Sequence, residues 1–85
     1  MHQSEYEEFQ SRFKAIEAFA KEVLELEAEI SGWVGVYELK GLEFPNGIMI
    51  IKGRRAGEWF DDSYDVPVEC IGDIERYKAY RWGKL

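Results

Sequence analysis

The chain has 85 residues, of which 46% are hydrophobic and 15% aromatic, and it carries a formal charge of −6. That size supports one domain with a single modest core, and the composition is too apolar for a disordered chain. No apolar run reaches the roughly 18 residues of a membrane span, no signal-peptide pattern opens the chain, and the lone Cys70 cannot form an internal disulfide; a soluble protein of a reducing cytoplasm is expected.

The total charge hides an asymmetry. Residues 4–30 hold eight acids and three bases, whereas Arg76, Lys78, Arg81 and Lys84 close the chain without an acid after Glu75. A long nucleic acid would be repelled along the acidic segment, so none is expected as a partner.

Ser4 and Glu7 have the spacing of a capping box, in which hydroxyl and carboxylate satisfy the orphan amides of a helix start. Tyr6, Phe9, Phe13, Ile16, Ala20, Val23 and Ile30 then recur at steps of three and four, broken by Glu27, and no Gly or Pro appears before Gly32. This predicts an amphipathic helix over residues 4–30. At 1.5 Å per residue it is roughly 40 Å long, against about 31 Å for a compact globule of this length. It should overhang the body, and Tyr6, Phe9, Phe13 and Ile16 are the expected contact of a homo-oligomer. The competing reading lays the whole stripe on the protein's own sheet.

The segment WVGVYELK switches to a period of two, placing Trp33, Tyr37 and Leu39 on one side and Val34 and Val36 on the other. Pro45, Asn46 and Gly47 supply a turn before the apolar run Ile48 to Ile51. A hairpin over residues 33–43 and 47–53 follows. In YDVPVECI, Val66, Val68 and Cys70 alternate with Pro67, Glu69 and Ile71, and Pro67, which cannot donate to a ladder, places that third strand at an edge or turns its nitrogen outward. In the last segment Asp73 can cap a short helix that puts Ile74, Tyr77 and Arg81 on one side; read as a strand, Tyr80 and Trp82 share a face. The helix is preferred. The fold class is thus α+β, one domain over residues 1–85: a long N-terminal helix on a three- to four-stranded antiparallel meander over residues 33–71, then a short C-terminal helix in 73–85.

Chemistry is constrained by what is missing. His2 is the sole histidine and lies where termini fray, so neither Ser-His-Asp nor Cys-His catalysis has a base. Cys70 reads as a small buried hydrophobe rather than a nucleophile. Asp61, Asp62 and Asp65 read first as turn residues, with a hard cation or acid/base pair as the alternative, and Gly53 and Gly57 lack the ending of a phosphate loop. No catalytic residue, metal ligand or cofactor is assigned, and a non-enzymatic protein is expected.

The segment at residues 53–65 reads as a loop interleaving cations with aromatics, and so does the tail. Arg54, Arg55 and Arg81 for anions, with Trp59, Tyr80 and Trp82 for stacking, form the expected site for a small anionic, nucleotide-like ligand. Two bland readings compete: the basic tail docks on the acidic helix, or Trp59 and Trp82 anchor the core under snorkelling arginines. The acidic face carrying Glu5, Glu8, Glu22, Glu25 and Glu29 is solvated in the plain reading; in the sharper one it inhibits a partner protein by mimicking nucleic acid. A purely structural, assembling role is the remaining alternative.

At SYDVPVECIGD the chain resembles small accessory proteins encoded by bacteriophages, in which a strand rich in Val-Pro-hydrophobic-Glu ends a short meander. The resemblance covers residues 33–73 and carries over no catalytic residue. It implies a non-enzymatic product acting in the host bacterial cytoplasm, in a group that includes inhibitors of host defence and proteins that sequester nucleotide signals.

Overall fold

A computed structural model describes residues 3–83, with side chains from residue 12 onward. The fold is α+β: α1 (Gln3–Ser31), β1 (Tyr37–Glu43), β2 (Ile48–Arg55), β3 (Asp62–Pro67), a 3-10 turn (Val68–Cys70) and α2 (Ile74–Gly83). The strands form one antiparallel sheet in the order β1-β2-β3. Among the described residues no helix is long and apolar enough to cross a membrane.

Gly32 ends α1 because the chain must enter the left-handed region there, at φ 74°. Its amide donates to the Glu29 carbonyl at 3.2 Å and the Trp33 amide to Ala28 at 2.8 Å, closing the last turn as a Schellman motif. The molecule measures 45 × 30 × 21 Å with a radius of gyration of 14.0 Å, above the about 12 Å of a compact chain of this length. Arg12, Phe13, Lys14 and Ala15 are exposed, and among the described side chains burial begins beyond them.

The buried stripe is rotated from the expected one. Phe19, Ala20, Val23, Leu24 and Glu27 turn inward, while Phe13 and Ile30 are exposed. A period near 3.6 fits several adjacent stripes, and the facing sheet selects among them. Glu27 lies within the buried face rather than interrupting it.

In the first hairpin, Asn46 at φ 49° and Gly47 at φ 77° occupy the two central positions of the turn, and the Ile48 amide closes it on the Pro45 carbonyl at 3.1 Å. This paired positive φ matches the right-handed twist of the strands it joins. β1 starts at Tyr37, not at residue 33, because the helix cap and Gly35 route Trp33 through a connecting loop before pairing begins.

β2 runs on to Arg55, and Asp62 already belongs to β3. The expected loop at 53–65 therefore shrinks to residues 56–61, and Asp62 and Asp65 are strand residues rather than turn formers. β3 is an edge strand, one of the two placements Pro67 permits, but it stops at that proline. Ile48, the first residue of β2, pairs with Pro67, so Val68 has no rung to join. Val68 is exposed, and Cys70 is buried through the 3-10 turn rather than through strand alternation.

Met49, Ile51, Gly53 and Val66 meet the helix side and form the core with Phe19, Ala20, Val23, Leu24, Cys70 and Tyr77. Each large aliphatic side chain removed from water here contributes on the order of 1.5–3 kcal/mol. Gly53 is a point of close approach, because a Cβ there would stand 2.5 Å from Leu24 and 2.6 Å from the Tyr37 ring. The opposite face of the sheet is solvated and charged, with Lys52 paired to Glu43 at 2.9 Å.

Candidate binding surface

Arg54 and Arg55 are successive strand residues and point to opposite faces of the sheet. On the outer face Arg54 Nε donates to Asp61 Oδ1 at 2.7 Å. On the helix side the Arg55 guanidinium lies 5.4 Å from the Trp33 ring centre and 5.7 Å from that of Tyr37, with Nε 3.7 Å from Asp62. Neither Arg55 Nε nor Trp33 Nε1 has a hydrogen-bond partner, although both are buried. Below them the Tyr37 hydroxyl contacts the Asp62 carboxylate and the Tyr64 hydroxyl. Burial, reinforced by the bond to Asp62, pushes the Tyr37 phenol well above the ordinary tyrosine range.

Asp61 thus hydrogen-bonds Arg54, and Asp62 lies at ion-pair distance from Arg55. The aspartates do not converge: Asp61 serves the outer face, Asp62 the helix side, and Asp65 stands opposite Ile50. Among the described residues no group of three His, Cys, Asp or Glu side chains gathers in a way that could hold a metal ion.

The tail builds a second cluster. Asp73 caps α2, its Oδ1 accepting from the Arg76 amide at 3.1 Å. One turn on, Tyr77 donates its hydroxyl to Glu27 at 2.8 Å, and Arg81 grips the same carboxylate through Nε at 2.7 Å and Nη2 at 3.3 Å. Glu27 is only 4% exposed, so three charge-assisted donors replace the water it lost. Burial and the Glu27 bond raise the Tyr77 phenol far above its usual range. Here the basic tail docks on the acidic helix of its own subunit.

Tyr80 and Arg81 line a cavity of about 210 Å³ with Ser63, Tyr64, Asp65 and Tyr77, between β3 and α2. The six residues expected to form one anion site therefore divide. Arg54 and Arg55 serve the sheet end, Tyr80 and Arg81 the α2 contact, and Tyr64 bridges them by touching Tyr37 while lining that cavity. An anion would have to draw Arg54 and Arg81 from carboxylates they hydrogen-bond, and Arg55 from the ion pair with Asp62 at 3.7 Å.

Trp59 and Trp82 are not core anchors. Trp59 is 91% exposed and Trp82 is half-exposed. Beside Trp59 stand exposed Phe60 and, across a backbone bond from the Ala56 amide to the Val36 carbonyl at 3.0 Å, exposed Val36 and Val34, the latter 94% exposed. Two neighbouring loops thus present four apolar side chains at one end of the sheet. Sequence reasoning placed Val34 and Val36 in a strand and passed over Phe60; the glycines at 32 and 35 were the signal that this segment bends away from the sheet.

Of the expected oligomer contact, Tyr6 and Phe9 lie outside the described side chains. Phe13 is 49% exposed, and Ile16 packs against the edge of the core. Compared with protein-family models, with curated proteins and with solved structures, the chain finds no match.

Proposed function

We propose that this chain is a non-enzymatic binding protein that docks on another protein through the loop pair at residues 33–36 and 56–61, the accessory role against a host factor that its phage-like segment implies. The observation carrying this reading is the exposure of Trp59, Phe60, Val34 and Val36 together while Arg54 and Arg81 spend donors on internal carboxylates and Arg55 is held between the Trp33 and Tyr37 rings at ion-pair distance from Asp62. Side chains of this kind form the desolvated centre of interfaces, where Trp is the residue most enriched in binding energy. An exposed apolar tip on an acidic body also suits a protein pocket better than a polyanion.

The test replaces Phe60 with its photo-reactive benzoyl analogue and irradiates the full chain in bacterial lysate. One dominant protein adduct is expected, competed away by unlabelled parent but not by the Trp59→Ser variant. Heat of binding from a panel of cyclic and linear nucleotides, with no competable adduct, overturns the reading in favour of nucleotide sequestration.

A further inference from the structure

A trough runs along the free edge of the sheet, between α1 and β1, and meets the loop pair only at Val36. Its first part, about 480 Å³, is lined by Glu17, Lys21, Glu25, Tyr37, Glu38 and Leu39 among others. Its second part, about 260 Å³, shares Glu17 and Leu39 and ends among Phe13, Leu42 and Phe44. One half is rich in carboxylates, and the other is apolar with Phe13 and Phe44 half-exposed. Together they follow β1 for its whole length, about 23 Å at the rise of an extended strand.

β1 is at the edge of the sheet, bonded only to β2 among the described strands. The Ala56 amide donates to the Val36 carbonyl, and alternation along an antiparallel ladder then turns the backbone groups of Tyr37 and Leu39 away from β2. Unpaired groups beside a trough of strand length are a template for one more strand. We infer that this trough takes an extended segment of a partner protein, added as a fourth strand to β1, with basic side chains in its first half and large apolar ones in its second.

Charge selects the occupant. Lys21 stands 3.8 Å from Glu17 and Lys40 stands 2.8 Å from Glu38, while Glu25 has neither lysine, so the first half retains an excess of carboxylate. A second copy paired edge to edge about a twofold axis would run antiparallel and set the acidic half of each trough against the apolar half of the other, stripping water from carboxylates without giving them a cation. The bulge between Leu39 and Gly41 places Lys40 at the edge, a further device against strand pairing between identical copies. Phe13, expected to join copies, here closes the apolar end of the trough.

The inference goes beyond the loop-pair reading and is tested apart from it. The probe is a fluorescein-labelled octapeptide that alternates threonine with two lysines and then two leucines, made in both chain directions, and titrated by anisotropy into the full chain. One direction is expected to bind saturably. N-methylation of the amides on one alternate set weakens it about tenfold, and on the other set leaves it unchanged, because only one set faces β1. A glutamate version of the peptide and the Glu17→Lys/Glu25→Lys variant should each weaken binding, whereas Trp59→Ser should not. Equal loss from both N-methylated sets, loss with Trp59→Ser, or no saturable binding in either direction overturns the inference. So does a dimer that Phe13→Ser dissociates in the absence of any peptide affinity. Failure of the loop-pair crosslink alone leaves these outcomes in force.

Discussion

Arg81→Ala is the sharpest perturbation of the fold, because it leaves the Glu27 carboxylate, 4% exposed, with Tyr77 as its remaining donor. Removing one member of a buried ion pair costs about 3–5 kcal/mol, chiefly as the desolvation of the charge left behind. The Arg81 side chain is itself 25% exposed, so water can partly enter the space it vacates, and the lower figure of about 3 kcal/mol applies. At about 0.05–0.15 kcal/mol per residue, a domain of this length holds roughly 4–13 kcal/mol in total. The loss therefore consumes a quarter to most of the stability and lowers Tm by about 12–24 °C. Urea unfolding at neutral pH, followed by circular dichroism and tryptophan fluorescence, measures it as a fall in midpoint at constant slope. The triple variant Glu27→Met, Tyr77→Phe and Arg81→Leu removes the charges and the stranded hydroxyl together, and should return to within about 1–2 kcal/mol of the parent. A loss below about 1 kcal/mol for Arg81→Ala would refute the reasoning, since it would mean that Glu27 is hydrated and the pair holds nothing together.

Gly53→Ala forces a methyl group against Leu24 and the Tyr37 ring and should cost about 1–3 kcal/mol in the same assay, whereas Gly41→Ala, with open space around it and no positive φ, meets no such wall. Asp73→Ala removes the cap of α2 and should cost about 1 kcal/mol, with Asp73→Ser recovering most of it. Tyr37 and Tyr77 have folded pKa values raised above the ordinary tyrosine value. Their contribution is therefore fully present below about pH 10 and is lost as pH rises beyond it, so alkaline unfolding and the tyrosinate absorbance at about 295 nm should rise together; smooth ionisation with near-ultraviolet dichroism intact would contradict this. Trp59→Ser should change stability by less than about 0.5 kcal/mol, since its indole packs on nothing it would leave empty, while abolishing competition in the crosslinking experiment.

The existence and type of each α-helix and strand were legible from short-range signals, whereas the 3-10 turn at Val68–Cys70 reads as strand in the sequence. A run without Gly or Pro up to Gly32 makes α1, Asn46-Gly47 makes the hairpin turn, Pro67 marks an edge strand and Asp73 starts α2; each acts through the backbone of its immediate neighbours, so the chain alone determines it. The sheet end was harder. Gly53 carried a readable sign, an isolated glycine within a strand pattern, yet its reason is the approach of Leu24 and Tyr37 from elsewhere in the chain. The arginines at 54 and 55 looked like paired ligand donors because adjacency in sequence does not reveal that a strand sends them to opposite faces, one to Asp61 and one toward Asp62. Glu27 looked like a fault in an apolar stripe. Its partners lie 50 and 54 residues away, and a carboxylate is tolerable in the core only because α2 brings Tyr77 and Arg81 to it. Periodicity states which side chains share a face of α1; the desolvation cost of each, weighed against the partner packed over it, is a property of the assembled tertiary structure alone.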